Sequence, residues 1–88
     1  MSFTSEQGDH YEIAHELLSR RLGTLTAEIT RAEEAVDPDS KLIAQLREDR
    51  LSLGKERDDL RPENVKAVDS VLIRYRFTRA QVARSAAG

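Results

Sequence analysis

Eight residues constrain this chain more than anything else in it. Tyr11, His15, Leu18, Leu22, Leu25, Ile29, Ala32 and Val36 follow one another at alternating spacings of four and three. An α-helix turns once in about 3.6 residues, so this rhythm lays all eight along one continuous stripe. A strand repeats every second residue and cannot collect them on one face. Ile13, Ala14 and Leu17 widen the stripe at its N-terminal end, while Arg20, Arg21, Glu28, Arg31, Glu33 and Glu34 occupy the other faces. The chain therefore begins with a long amphipathic helix. Gly23 interrupts it at a cost of up to about 1 kcal/mol relative to Ala, unless a neighbour packs close there.

Its expected limits come from local chemistry. Asp9 and Glu12 have the spacing of a capping box, with one side chain accepting from free N–H groups and the other reaching back. Residues 1–8 are then a flexible N-terminal lead-in. At the other end stands Asp37-Pro38-Asp39-Ser40. A residue preceding Pro avoids the α region, which ends the first helix near Val36. Asp37 is the expected cap of the second helix, with Pro38 at its first position, where no N–H is needed.

The second helix is expected over residues 38–60. Leu46, Leu53 and Leu60 recur every seven residues, but the seam positions between them are ambiguous. Leu42, Asp49 and Glu56 form one choice; Ile43, Arg50 and Arg57 form the other. Either way the stripe is narrow and suits one neighbour rather than a deep core. So short a connection makes the two helices antiparallel. Folding about Asp37–Pro38 brings Ile29 and Ala32 near Leu46, Leu22 and Leu25 near Leu53, and Leu18 near Leu60, so the leucines meet in register.

Pro62, in Arg61-Pro62-Glu63-Asn64, can open a third helix. Val65, Val68, Leu72, Tyr75 and Val82 continue the three-four spacing, giving an expected helix over 63–85. Ile73-Arg74-Tyr75-Arg76-Phe77 also alternates like a strand, and Thr78 can cap a separate short helix. A lone strand has no pairing partner in a helical chain, so helix is preferred. The fold class is thus all-α: a long antiparallel helical hairpin plus a third C-terminal helix, closed into a bundle by self-association. Residues 9–88 form a single helical domain with helices over 9–36, 38–60 and 63–85.

Self-association enters because narrow stripes on a chain of 88 residues bury little surface. The expected seam residues are Leu18, Leu22, Leu25 and Ile29, with Leu46 and Leu53 opposite, and the first helix is the expected dimer contact. With no Cys, disulfides, thiolate metal sites and Cys nucleophiles are excluded. Charged residues make up 34% of the chain, above the roughly 25% of ordinary globular domains, and suit long solvated helices. The start lacks the basic and apolar regions of a signal peptide, and no apolar run approaches a membrane span of about 20 residues. The expected location is cytoplasmic, without a membrane partner.

Charge is unevenly placed. All sixteen acidic residues precede residue 70, alongside ten Lys and Arg, whereas residues 70–88 carry Arg74, Arg76, Arg79 and Arg84 and no acid. These four arginines are the candidate contacts to nucleic acid or to a protein partner, the first reading being salt-sensitive phosphate binding. The same end, Phe77-Thr78-Arg79-Ala80-Gln81-Val82-Ala83 through Gly88, resembles the first helix of a helix-turn-helix. Its glycine falls one residue late, and no recognition helix follows within these residues.

Catalytic and metal signals are sparse. His10 and His15 are five apart, roughly 140° round a helix, and do not converge. Glu12 and His15 have the i, i+3 spacing of helical carboxylate di-metal sites, but no second such motif accompanies them. No Gly-rich phosphate loop or nucleophile elbow occurs. Leu60-Arg61-Pro62-Glu63-Asn64-Val65, opening the third of three helices, resembles the small all-helical chorismate mutases. That resemblance implies cationic side chains on two substrate carboxylates and a glutamine at the ether oxygen, roles that fall on Lys41, Arg47 and Gln81. The apolar seam of the first helix departs from the family's inward arginine, and its early Arg-Glu pair on the second helix is missing. The expected function is therefore non-enzymatic, without metal or cofactor: a protein–protein interaction and oligomerisation module of bacterial or phage type, acting as adaptor or regulator. Its partner is a second copy, in a homodimer or higher homo-oligomer, or another protein's helix. Nucleic-acid binding and the mutase activity are the alternatives.

Overall fold

A computed structural model gives the architecture and describes residues 5–75. The described residues form three helices and no strand: α1 (Ser5–Glu34), α2 (Ser40–Asp59) and α3 (Val65–Arg74). The all-α expectation holds. The ends of the helices differ from those expected, and each difference has a local cause.

α1 is already helical at residues 5–8, so Asp9 lies inside the helix rather than capping it. Glu6 stands in the first turn, where a carboxylate complements the helix dipole, and its Oε1 lies 3.8 Å from His10 Nε2 one turn on. The expected lead-in over 1–8 is thus helical from Ser5; residues 1–4 lie outside the described residues. At the far end α1 stops at Glu34 and residues 35–37 bend away. Val36, the last seam position, is fully exposed. The apolar rhythm outlasts the helix because Pro38 restricts the backbone just beyond it.

α2 is capped by Asp39, not Asp37. The Asp39 carboxylate accepts from the backbone N–H groups of Lys41 and Leu42, both at 3.1 Å, and its carbonyl accepts from Ile43 N–H at 3.0 Å. Pro38 lies before the cap rather than in the first turn. α3 likewise opens two residues later than expected. Asn64 Oδ1 accepts from Ala67 N–H at 3.2 Å, while Asn64 N–H donates to the Arg61 carbonyl at 3.1 Å. Pro62 therefore belongs to the turn that precedes the helix. α3 ends at Arg74, where Tyr75 N–H donates to the Val71 carbonyl at 3.1 Å. Residues 71–74 are helical, which decides against a strand there. The expected continuation to residue 85, with Phe77, Thr78 and Val82, lies outside the described residues.

The helices contribute to two compact units, and α1 supplies one part to each. In the first unit, residues 5–17 of α1 belong with residues 59–75, and Ala14, Leu60, Val68, Val71 and Leu72 are buried. Val68, Val71, Leu72 and half-buried Tyr75 share one face of α3 at three-four spacing; Ile73, on the opposite face, is exposed. Tyr11 and His15 stack with tilted rings 5.7 Å apart on α1.

The second unit, residues 18–58, is an antiparallel hairpin. Near its turn the Arg47 guanidinium pairs with the Glu33 carboxylate, and further down Leu22 stands against Gly54. The Leu22–Gly54 level agrees with the register expected from the leucines, while the long Arg47 side chain reaches a carboxylate beyond that register. Exposed on both sides, the Arg47–Glu33 pair contributes about 0–1 kcal/mol. Leu18, Leu25 and Ile29 are buried, and Leu22 is half-buried.

Candidate association surface

The hairpin's two helices are unequal. α1 hides three of its seam side chains almost completely, whereas none of the twenty residues of α2 is buried. Ile43, Leu46 and Leu53 are half-covered, Leu42 is 48% exposed and Leu51 75% exposed. The seam ambiguity is resolved by burial. Ile43 and Arg50 are half-buried, while Leu42 and Asp49 are exposed. Arg57 is half-buried on the same face, and so is Glu56 beside it.

This has a chemical cause and a consequence. Arginine covers an apolar surface with its methylene stem while the guanidinium reaches solvent at the edge, so it can occupy a seam position that aspartate cannot. Arg57 turns its head to Asp58 Oδ1, 3.3 Å away. The remaining apolar residues of α2, Leu42 with the outer sides of Leu46 and Leu53, lie on a stripe beside the α1 contact. Asp49 stands between them and accepts from Gln45 Nε2 at 2.8 Å. On α1, Arg21 Nη1 donates to Glu28 Oε1 at 3.3 Å.

The expected seam residues thus divide. Leu18, Leu25 and Ile29 are consumed inside the chain, Leu22 partly so, and Leu46 and Leu53 retain uncovered surface. Of the four basic candidates only Arg74 is described, exposed in the last turn of α3. Arg76, Arg79 and Arg84 lie outside the described residues, as does the stretch resembling a helix-turn-helix. Arg50 was visible in the sequence only as one of two seam options; its long stem was the signal that favoured it.

The residues assigned by the mutase resemblance do not stand alike. Arg47 is engaged with Glu33, and Lys41 is exposed in the first turn of α2; Gln81 lies outside the described residues. A shallow cavity of about 300 Å³ beside the hairpin turn is lined by Glu33, Pro38, Ser40, Ile43, Ala44 and Arg47. Its only charged groups are the two that neutralise each other. Glu12 is exposed and His15 half-buried, and no three His, Asp or Glu residues come together as a metal site among the described residues. No described helix is long and apolar enough to cross a membrane. Comparisons with protein-family models, with curated proteins and with solved structures find no match to this chain.

Proposed function

We propose that the chain is a non-enzymatic helical association module, acting as an adaptor or regulator through contact with protein. The observation that carries this is α2: a helix of twenty residues bearing Leu42, Ile43, Leu46, Leu51 and Leu53, not one of them buried. Fully covering a leucine contributes about 1.5–3 kcal/mol, so a helix left in this state gains by being covered. Leu42, Leu46 and Leu53 share one stripe of this helix, and such a stripe on a small chain supports association as the means of completing the core. The contact is placed on α2 rather than on the α1 seam, because Leu18, Leu25 and Ile29 are already covered.

Sedimentation equilibrium of the full chain from micromolar to millimolar concentration tests this reading. The expected result is a mass above that of the 9.9 kDa monomer, falling towards it on dilution. Leu42→Glu, at an exposed position, is expected to lower the associated fraction while leaving the helical circular dichroism unchanged. A wild-type chain that stays monomeric throughout overturns self-association as its function.

A further inference from the structure

Resting on the association reading, the charge pattern of α2 goes further and specifies what covers it. Leu42, Leu46, Asp49 and Leu53 follow at spacings of four, three and four, so one acid interrupts an otherwise apolar stripe. Asp49 is exposed and accepts from Gln45 Nε2, and a carboxylate has room for further donors. A second α2 does not supply them. With Leu46 of each copy against Leu53 of the other, the two Asp49 carboxylates meet at the two-fold axis, where like charges oppose the contact. A parallel pair likewise sets Asp49 on Asp49. The stripe therefore fits an apolar helix that carries a base where α2 carries an acid.

The chain holds such a sequence at residues 76–88. They contain Arg76, Arg79 and Arg84 and no acidic residue, beside Phe77, Val82 and four alanines. These residues lie outside the described ones, and the sequence predicts helical spacing through residue 85. At that spacing Arg79 fills the gap between Tyr75 and Val82, so one base interrupts an otherwise apolar stripe. Laid antiparallel on α2, Val82 comes level with Leu46 and Arg79 with Asp49. Tyr75, half-buried at the end of α3, comes level with Leu53. Laid parallel at the same spacing, Arg79 falls on Leu46 and Val82 on Asp49, so charge meets apolar surface at both levels. The antiparallel order instead joins a guanidinium to a carboxylate between two apolar contacts.

We propose that the chain forms a two-fold dimer by exchanging residues 76–88, the segment of each copy lying antiparallel on the α2 stripe of the other, with Arg79 on Asp49 and Val82 on Leu46. Reciprocal exchange makes two identical contacts and closes the pair. Charge reversal, read by sedimentation equilibrium, tests the register. D49R and R79D are each expected to raise the dimer dissociation constant about tenfold, because each sets like charges together in both contacts. Their helical circular dichroism is expected to stay unchanged. D49R/R79D restores opposite charges and is expected to dimerise as the wild type does. D37R/R79D restores the net charge away from the stripe and is expected to remain weak.

A spin label locates the segment. The chain has no Cys, so S85C takes a nitroxide at a single position. When that chain is mixed with isotope-labelled wild type, the amide resonances of residues 42–46 are expected to broaden, label and amide then being on different copies. Broadening confined to a chain that carries both label and isotope means that the segment covers its own α2, and overturns the exchange. A dimer without broadening on α2 in the mixture also overturns it and leaves the association reading standing, with the contact elsewhere. Single variants without effect, or a double variant without recovery, overturn the Asp49–Arg79 register. A wild-type monomer at all concentrations overturns both the exchange and the association reading.

Discussion

Leu22 Cδ2 lies 4.0 Å from the point where a Cβ would stand on Gly54. That is ordinary van der Waals distance, so an added methyl meets the leucine without displacing it. Gly54 lies within α2, where Ala is the better helix former by about 1 kcal/mol. Gly54→Ala is therefore expected to raise the melting temperature by roughly 4–8 °C, the shift that 1 kcal/mol produces in a domain of this size. Thermal unfolding followed by circular dichroism checks it. A lowered melting temperature would mean that α1 and α2 approach more closely at this level than described.

Gly23 isolates the propensity effect from the packing effect. Nothing beyond its own surroundings comes within 4 Å of a Cβ built there, and the residue is exposed on α1. The neighbour that would justify a mid-helix glycine is not present among the described residues. Gly23→Ala is expected to stabilise by about 0.5–1 kcal/mol in urea unfolding. The proposed association through α2 would leave this face of α1 open, so the dissociation constant is expected to stay unchanged. A variant that is stabilised but no longer self-associates would move the contact from α2 to α1.

The architecture was legible because one periodic signal dominated. The run from Leu18 to Ile29 could only be a helical stripe, and its register against Leu46 and Leu53 identified the hairpin. Boundaries were less legible because several side chains compete for each cap. Asp9, Asp37 and Asp39 are all good acceptors, and the sequence does not show which one finds free N–H groups in range. The covered face of α2 was hidden for another reason. Arg50 and Arg57 read as surface residues by charge, yet their stems fill apolar positions.

The two aspartates around Pro38 offer a clean test of the cap. Asp39 accepts from two backbone N–H groups, and Asp37 lies in the bend before it. Asp39→Ala is expected to cost about 0.5–2 kcal/mol, as lost caps do, while Asp37→Ala costs almost nothing. Asp39→Asn keeps the acceptor oxygen and is expected to recover most of the loss. Chemical denaturation of the three variants decides it. Equal effects at the two positions would show a general response to lost negative charge near the helix start, not a specific pair of hydrogen bonds.

Leu25 and Leu51 separate what holds the chain from what rests on its surface. Leu25 is 1% exposed on α1, and Leu51 is 75% exposed on the side of α2 opposite the proposed dimer stripe. Leu25→Ala removes packed methyl groups from the hairpin interior, with an expected cost of about 2–5 kcal/mol. Small domains have only about 5–15 kcal/mol in total, so this variant is expected to unfold partly at physiological temperature. Leu51→Ala is expected to stay within about 0.5 kcal/mol of wild type. If the chain associates as proposed, mass action stabilises its folded form, so the unfolded fraction of Leu25→Ala is expected to fall as protein concentration rises. Denaturation at two concentrations a hundredfold apart reads both effects. Large destabilisation by Leu51→Ala would place that leucine, and not Leu42, beneath the second copy.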